Sequence, residues 1–480
     1  MQFANGSAID LSQVPSVPVA ALAGAARAAR EQQQMLASLQ MLDGRLLLLL
    51  ADAATGRLSA RSFELAGART WPSITPAWPA AQLFEREIFE RTGARPEGHP
   101  WLKSVRRHGP GLHPFLRAEG EGVHEVAVGP IHAGIIEPGH FRFQCEGELV
   151  LHLEIQLGWQ TRGAEQMLLH PHPGRRLRAA ESIAGDTSVG HALAYCTAIE
   201  ALSGTKVPLR AQALRGVLLE LERIANHVGD LGMLCNDVGY LPGSAYFGRM
   251  RGDFLNVMAE ISGNRLGRGL LVPGGVRFDV SEEMLARIHG VLAKADRDLN
   301  DTARVVFSTP SVLSRFEGTG TVTRAQAEEL GVCGVAARAC GLRADTRSDH
   351  PVGIFQFAHV PVAVAEDGDV MARSTVRWLE VLRSMQFVGE QLEQLPPGPL
   401  RVAQGALRGS SLAVAMIEGW RGAIVHVART GADGSVVEHK VVDPSFRNWK
   451  ALELAVRGAQ ISDFPLCNKS FNLSYAGHDL

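Results

Sequence analysis

Two hydrophobic periods divide the chain. Residues 46–51, inside GRLLLLLADAATGRLSA, form the most apolar run. It is six residues long and ends at Asp52, which predicts a buried strand entering a turn at Thr55-Gly56 and a strand pair over about 45–65. Before it, residues 20–42 are Ala/Gln-rich with helical spacing. After it come a Pro/Trp-rich stretch and a charged helix, AQLFEREIFERTG, in which Glu85, Arg86 and Glu87 read as inter-subunit or surface ion pairs. The segment 108–121, rich in Gly, His and Pro, reads as a linker. Residues 123–162 alternate and predict several strands with a hairpin at Glu146-Gly147. Helical periodicity governs 181 to about 345. It is clearest at 208–232, where Leu214, Val217, Leu218, Leu221, Ile224, Ala225 and Val228 form one stripe. In the same stretch Arg223, His227 and Asp230 read as a polar cluster tying two helices together. From Gly398 the pattern returns to alternation, with a turn at Ala432-Asp433-Gly434. The predicted fold class is α+β. A small α+β domain over residues 1–118 precedes a large, mainly helical domain over 119–480 with antiparallel sheet at both ends.

The 480 residues are 46% apolar and 20% charged, the composition of a globular chain. A net charge of −2 excludes a general nucleic-acid coat, which needs excess basic charge. Six scattered cysteines without a C-x-x-C pair exclude a disulfide scaffold, a zinc ribbon and a self-held iron–sulfur cluster, and they read as core thiols. No basic-then-apolar leader opens the chain. No run approaches the about 20 apolar residues of a membrane helix. A cytoplasmic chain docking peripherally on a membrane partner is expected.

The string GPIHAGIIEPGHFRF, residues 129–143, resembles the large subunit of membrane-bound, energy-converting nickel–iron hydrogenases of the formate hydrogenlyase and hydrogenase-4 type. It also resembles the related complex I subunit that walls the quinone pocket. ELERIANHVGDLG (220–232), LGVCGVAARACGLRADTRSDHP (330–351) and DPSFRNWKAL (443–452) follow in the order of such proteins. EREIFERTGARPEGHPWL (85–102) resembles the small hydrophilic complex I subunit, here fused in front.

That resemblance implies four cysteine thiolates for a nickel–iron centre, because soft bridging sulfur is what such a site selects. The first pair of positions falls on Ala184 and Thr187, the second on Ser474 and Gly477, with Cys467 upstream. The expectation is no metal ligand, no nickel–iron centre and no hydrogen turnover by this chain. Chain maturation by cleavage after the last ligand is likewise not expected. The tyrosine that complex I relatives offer to a quinone falls on Gly185, and Tyr195 lies further along, at a packing position.

Other implied site residues persist. His132 corresponds to the hairpin histidine of the quinone pocket, and Glu137 to a proton-relaying carboxylate. Arg408 corresponds to the arginine over the metal site. Asp186, His191, Asp349 and His350 complete a polar set fit for a proton relay. Catalytic candidates are His132, Glu137, Asp186, His191 and Arg408, and cofactor-binding candidates are His132 and Thr187. Asp186-Thr187 also reads as a helix N-cap. The implied partners are an iron–sulfur small subunit, which would hold the cluster, and antiporter-like membrane subunits, with this chain peripheral on the cytoplasmic side of the inner membrane. Three readings stay open: a core component that couples electron transfer or conformational change to ion movement, a quinone-reducing one, and a non-redox scaffold of the same complex.

Overall fold

The computed structural model describes every residue except 133 and 135. Near the N-terminus, strand β1 (Ser7–Asp10) is followed by helix α1 (Leu22–Glu31). An antiparallel meander comes next, β2 (Met35–Leu42), β3 (Arg45–Asp52) and β4 (Arg57–Glu64), and then α2 (Gln82–Thr92). The predicted strand pair is present, in a register that sets Leu46 opposite Phe63. The helical spacing over 20–42 extends only to Glu31; the remainder is β2, because Leu36 and Leu39 are buried as a strand paired on β3. Leu46–Leu49 are all buried, each side chain contributing about 2 kcal/mol.

Past the linker, β5 (Val123–Val128), β6 (His140–Glu146) and β7 (Leu149–Gln156) form a three-stranded antiparallel sheet, with β6 central. The hairpin falls at the expected place, on Gly147 with φ 56°. The helical body contains α3 (Ser188–Ser203), α4 (Leu209–Asp237), α5 (Leu241–Ser262), α6 (Glu282–Val306) and α7 (Val370–Glu393). Helix α7 lies beyond the predicted helical stretch. Its buried face carries Arg373, Arg377, Glu380 and Ser384, which break the hydrophobic period.

The last sheet, β8 (Ser411–Gly419), β9 (Gly422–Thr430) and β10 (Val436–Val442), is antiparallel, and β1 joins its edge beside β8. Helix α8 (Pro444–Val456) follows, capped by Asp443. Every residue of β8 is buried. Leu412, Val414 and Met416 face the N-terminal core, whereas Ala413, Ala415 and Ile417 face the helices. One sheet thus serves two cores.

Candidate functional site

The loop before α3, the β8–β9 hairpin, α4 and the C-terminal segment enclose a cavity of about 570 Å³. Its central pair is Asp186 and Arg421. The guanidinium of Arg421, at the hairpin tip, grips the Asp186 carboxylate with two bonds of 2.6 and 2.7 Å. Burial pushes the Asp186 carboxyl up, but Arg421 outweighs it and holds the group below its ordinary value. Arg421 also donates to Thr187 Oγ1 and to the Asn472 carbonyl, and its plane lies 3.8 Å from the Trp420 ring centroid. Thr187 occupies the N-cap of α3, yet its side chain does not cap the helix. The buried first-turn amides of Val189 and Gly190 donate instead to the buried Glu222 carboxyl. Burial raises Glu222 to about 8 against the effect of those two donors.

Glu137 lines the cavity and accepts from the Ala476 amide at 3.1 Å. His132 packs its ring 6.2 Å from that of Tyr475, a cavity-lining residue. Among the described residues neither His132 Nε2 nor the Tyr475 hydroxyl, both buried, has a hydrogen-bond partner, and burial lowers His132 and raises Tyr475. His191 lies behind the cavity wall, fully buried, with Nε2 3.0 Å from Asp443 Oδ2.

Arg408 does not join this site. It is exposed and lines a different cavity, of about 650 Å³, beside Gly204 and Lys206. The arginines that line the candidate cavity are Arg421 and Arg251. Asp349 and His350 are also elsewhere: the Asp349 carbonyl lies beside Gly56, and the His350 carbonyl accepts from Asn5. Glu85, Arg86 and Glu87 are neither surface groups nor free for a partner. Glu85 gathers Trp71, Ser73 and Thr75; Arg86 donates to the carbonyls of Lys103 and Ser104; Glu87 pairs with Lys440 at 2.7 Å. A helix that turns three consecutive charged residues to buried intramolecular partners looks like a charged surface helix in sequence.

The polar cluster of α4 ties the helices as expected. His227 bonds Glu380 of α7 at 2.8 Å, and Asp230 pairs with Arg377 at 2.8 Å. Behind them Arg338 binds Glu380 and Glu418, each at 2.7 Å, while Arg347 binds Glu220 and Asp345. Arg223 completes three buried guanidiniums among four buried carboxylates. Burial raises Glu418, with Asp345 adding to the effect and Arg338 opposing it.

The donor set at the four positions where the resemblance expects ligands does not fit a nickel–iron centre. Ala184 presents a buried methyl group. Thr187 Oγ1 is already bonded to Trp420 and Arg421. Ser474 Oγ accepts from the Gly477 amide. A Cβ on Gly477 would stand 2.5 Å from the Asp443 carboxyl carbon. All six cysteines are buried elsewhere, and burial raises Cys467 to about 11.

Sequence reasoning missed Arg421, Tyr475, Asp443, Glu222 and the strand histidines His426 and His439. His426 did leave a signal, a lone polar residue inside the apolar run AIVHVA, whereas His439 sits between Glu438 and Lys440 and leaves none.

Comparison with known proteins agrees with this architecture. The family model for the respiratory-chain NADH dehydrogenase 30 Kd subunit matches residues 16–117, and that for the 49 Kd subunit matches 237–410. The carbon monoxide-induced hydrogenase of Rhodospirillum rubrum is 30% identical over 348 residues, 72% of this chain and 96% of that protein. Formate hydrogenlyase subunit 5 of Escherichia coli is 28% identical over 436 residues, 85% of this chain and 77% of that protein. An NADH-quinone oxidoreductase subunit of Phocaeicola vulgatus is 26% identical over 441 residues, covering 82% of this chain and 83% of that protein. A chain of the membrane-bound sulfane sulfur reductase, an archaeal respiratory membrane complex, shares the fold, with a TM-score of 0.70 at 23% identity over 75% of this chain and 99% of that one. The chain belongs to the oxidoreductase family of large subunits shared by membrane-bound hydrogenases and complex I. Within that family it is a fused form, the 30 Kd module preceding the 49 Kd module on one polypeptide.

Proposed function

We propose that this chain is the peripheral core subunit of a membrane-bound, complex-I-like oxidoreductase complex, and that its cavity has been rebuilt without nickel–iron. It would bind an iron–sulfur small subunit and dock on antiporter-like membrane subunits from the cytoplasmic side. Electron transfer or a conformational change at the cavity would drive ion movement. The observation that carries this reading is the Asp443 carboxylate seated where a side chain on Gly477 would have to stand. No described helix is long and apolar enough to cross a membrane, which suits a docked subunit. Ile131, 86% exposed, and the exposed Met233 at the cavity give apolar surface for such a partner. The test is the native complex isolated through a tag on this subunit. Iron–sulfur signals in the electron paramagnetic resonance spectrum after dithionite, with nickel far below one per chain, are expected. Stoichiometric nickel overturns the reading, and an intact complex without cluster signals favours the non-redox scaffold.

A second reading, quinone reduction in the same cavity, rests on the two unpartnered groups there, His132 Nε2 and the Tyr475 hydroxyl. They are a hydrogen-bond pair without a recipient, and a quinone carbonyl is such a recipient. His132→Ala and Tyr475→Phe then each lower quinone-reductase activity at least tenfold. Unchanged activity in both rejects this reading.

A further inference from the structure

Behind the cavity wall, three buried histidines stand in line. His191 Nε2 is 3.0 Å from Asp443 Oδ2, and His191 Nδ1 is 3.2 Å from His426 Nε2. His426 Nδ1 is in turn 2.9 Å from His439 Nε2. The last nitrogen of the row, His439 Nδ1, is buried without a partner. His439 lines a cavity of about 290 Å³ between the N-terminal unit and the last sheet, alongside Glu87, Arg91, Glu165 and Lys440. At the other end, Asp443 lies against Gly477, whose neighbours Ser474 and Tyr475 line the candidate site. We propose that Asp443, His191, His426 and His439 form a proton relay joining the wall of the candidate site to the interdomain cavity.

The strand geometry makes the row. His426 lies opposite Val441 and His439 opposite Ala428, so the two histidines are diagonal neighbours on one face of the β9–β10 pair. Their rings meet edge to face at 89° with centroids 5.1 Å apart. That face abuts α3, which supplies His191 one turn from its start, and Tyr195, one turn on, stacks on His439.

With all three rings neutral, only one set of tautomers satisfies every bond. Asp443 has no proton to give when ionised, so His191 donates from Nε2. His191 Nδ1 then accepts from His426 Nε2–H, and His426 Nδ1 accepts from His439 Nε2–H. His439 Nδ1 is left as a free acceptor. Burial lowers His426 well below its ordinary value, with His439 adding to the effect, and burial lowers His439 to about 4. Both rings are therefore neutral at pH 7, each with one donor and one acceptor.

A proton arriving at His439 Nδ1 from water in the interdomain cavity releases the His439 Nε2 proton to His426 Nδ1. His426 passes its Nε2 proton to His191, and His191 passes its own to Asp443 Oδ2. One proton enters and one carboxylate is neutralised, with no electron moved. The reverse sequence resets the rings. The relay would supply a counter-charge when negative charge develops in the candidate site. It rests on and deepens the function proposed above, but its geometry and proton mobility can be tested without turnover.

The test uses the full chain labelled with ¹⁵N-histidine. Scalar couplings between ring nitrogens are expected across His191–His426 and His426–His439, with all three rings neutral and protonated at Nε2 at pH 7. A charged ring or a missing coupling overturns the relay. The His191 Nε2 proton should also exchange with solvent at least tenfold more slowly in His439→Phe, which keeps the ring but not the nitrogens. An unchanged exchange rate overturns the proposal. If His439→Phe does not fold, His439→Asn and the wild-type couplings decide. In the native complex, His439→Ala should slow turnover at least tenfold and recover with added imidazole, while the sealed His426→Ala should slow without recovery. Full-rate His426→Ala refutes the relay, whereas an inactive wild-type complex refutes only the proposed function.

Discussion

Gly477 packs directly on Asp443, and the contact leaves no room for a single added carbon: a Cβ on Gly477 would meet both carboxylate oxygens at 2.7 Å. Asp443 cannot easily yield, because it is 1% exposed and held by His191 and by the Ser445 amide. The carboxylate thus fills the space that any side chain at residue 477 would need.

Gly477→Ala should therefore destabilise the chain by about 2 kcal/mol, the usual cost of overpacking a buried site. Pairing it with Asp443→Gly should be less harmful than the sum of the two single changes. Denaturant melts of the four proteins give the coupling directly.

Arg421 organises the loop that carries Asp186 and Thr187. Arg421→Lys loses the two-pronged grip and the stacking on Trp420, and should cost about 2 kcal/mol. Because Asp186 is held below its ordinary value of 3.8, its contribution is present above that pH and fades as acid protonates the folded group. Asp186→Asn should flatten the acid limb of the stability curve, as measured by thermal melts from pH 2 to about 5.

Glu222 behaves oppositely. Its folded value is about 8 against an ordinary 4.5, so the unfolded chain releases this proton first as pH rises. Stability should decline between those two values on this account, and Glu222→Gln should remove that part of the decline. Paired melts at pH 5 and 8 measure the difference.

Glu380 is the hub of the buried network, bonded to His227 and to Arg338. Glu380→Gln should destabilise by about 3 kcal/mol or more, the usual penalty of leaving a buried guanidinium unbalanced. Glu380→Gln with Arg338→Met should recover part of the loss. A double variant no better than the single one would show that the pair is not coupled.

Much of the fold was legible because its elements obey one period each. The alternation in 123–162 and in the C-terminal strands, and the stripe of α4, place their strands and helices directly. Two elements resisted. The segment 35–42 carries Ala and Gln, which favour helix locally, but pairing with β3 decides it. Helix α7 hides its period under buried arginines. For the site, motif order led to Glu137, Asp186 and His132, which gather at the cavity or against Tyr475 on its wall. It misplaced Arg408, because an arginine after an irregular run can point either way. It missed Arg421 because a hairpin tip is brought to α3 only by the tertiary fold.

The shared sheet has a mechanical consequence. β8 and β9 fill the N-terminal core from one face and the helical core from the other, while β1 is zipped to Ser411–Val414. Buried pairs such as Glu87 with Lys440 cross the same boundary. A protease that nicked the exposed stretch near Gly109–Gly111 would cut the thread without parting the cloth. Both fragments would travel as one particle, and heat would melt them in a single step.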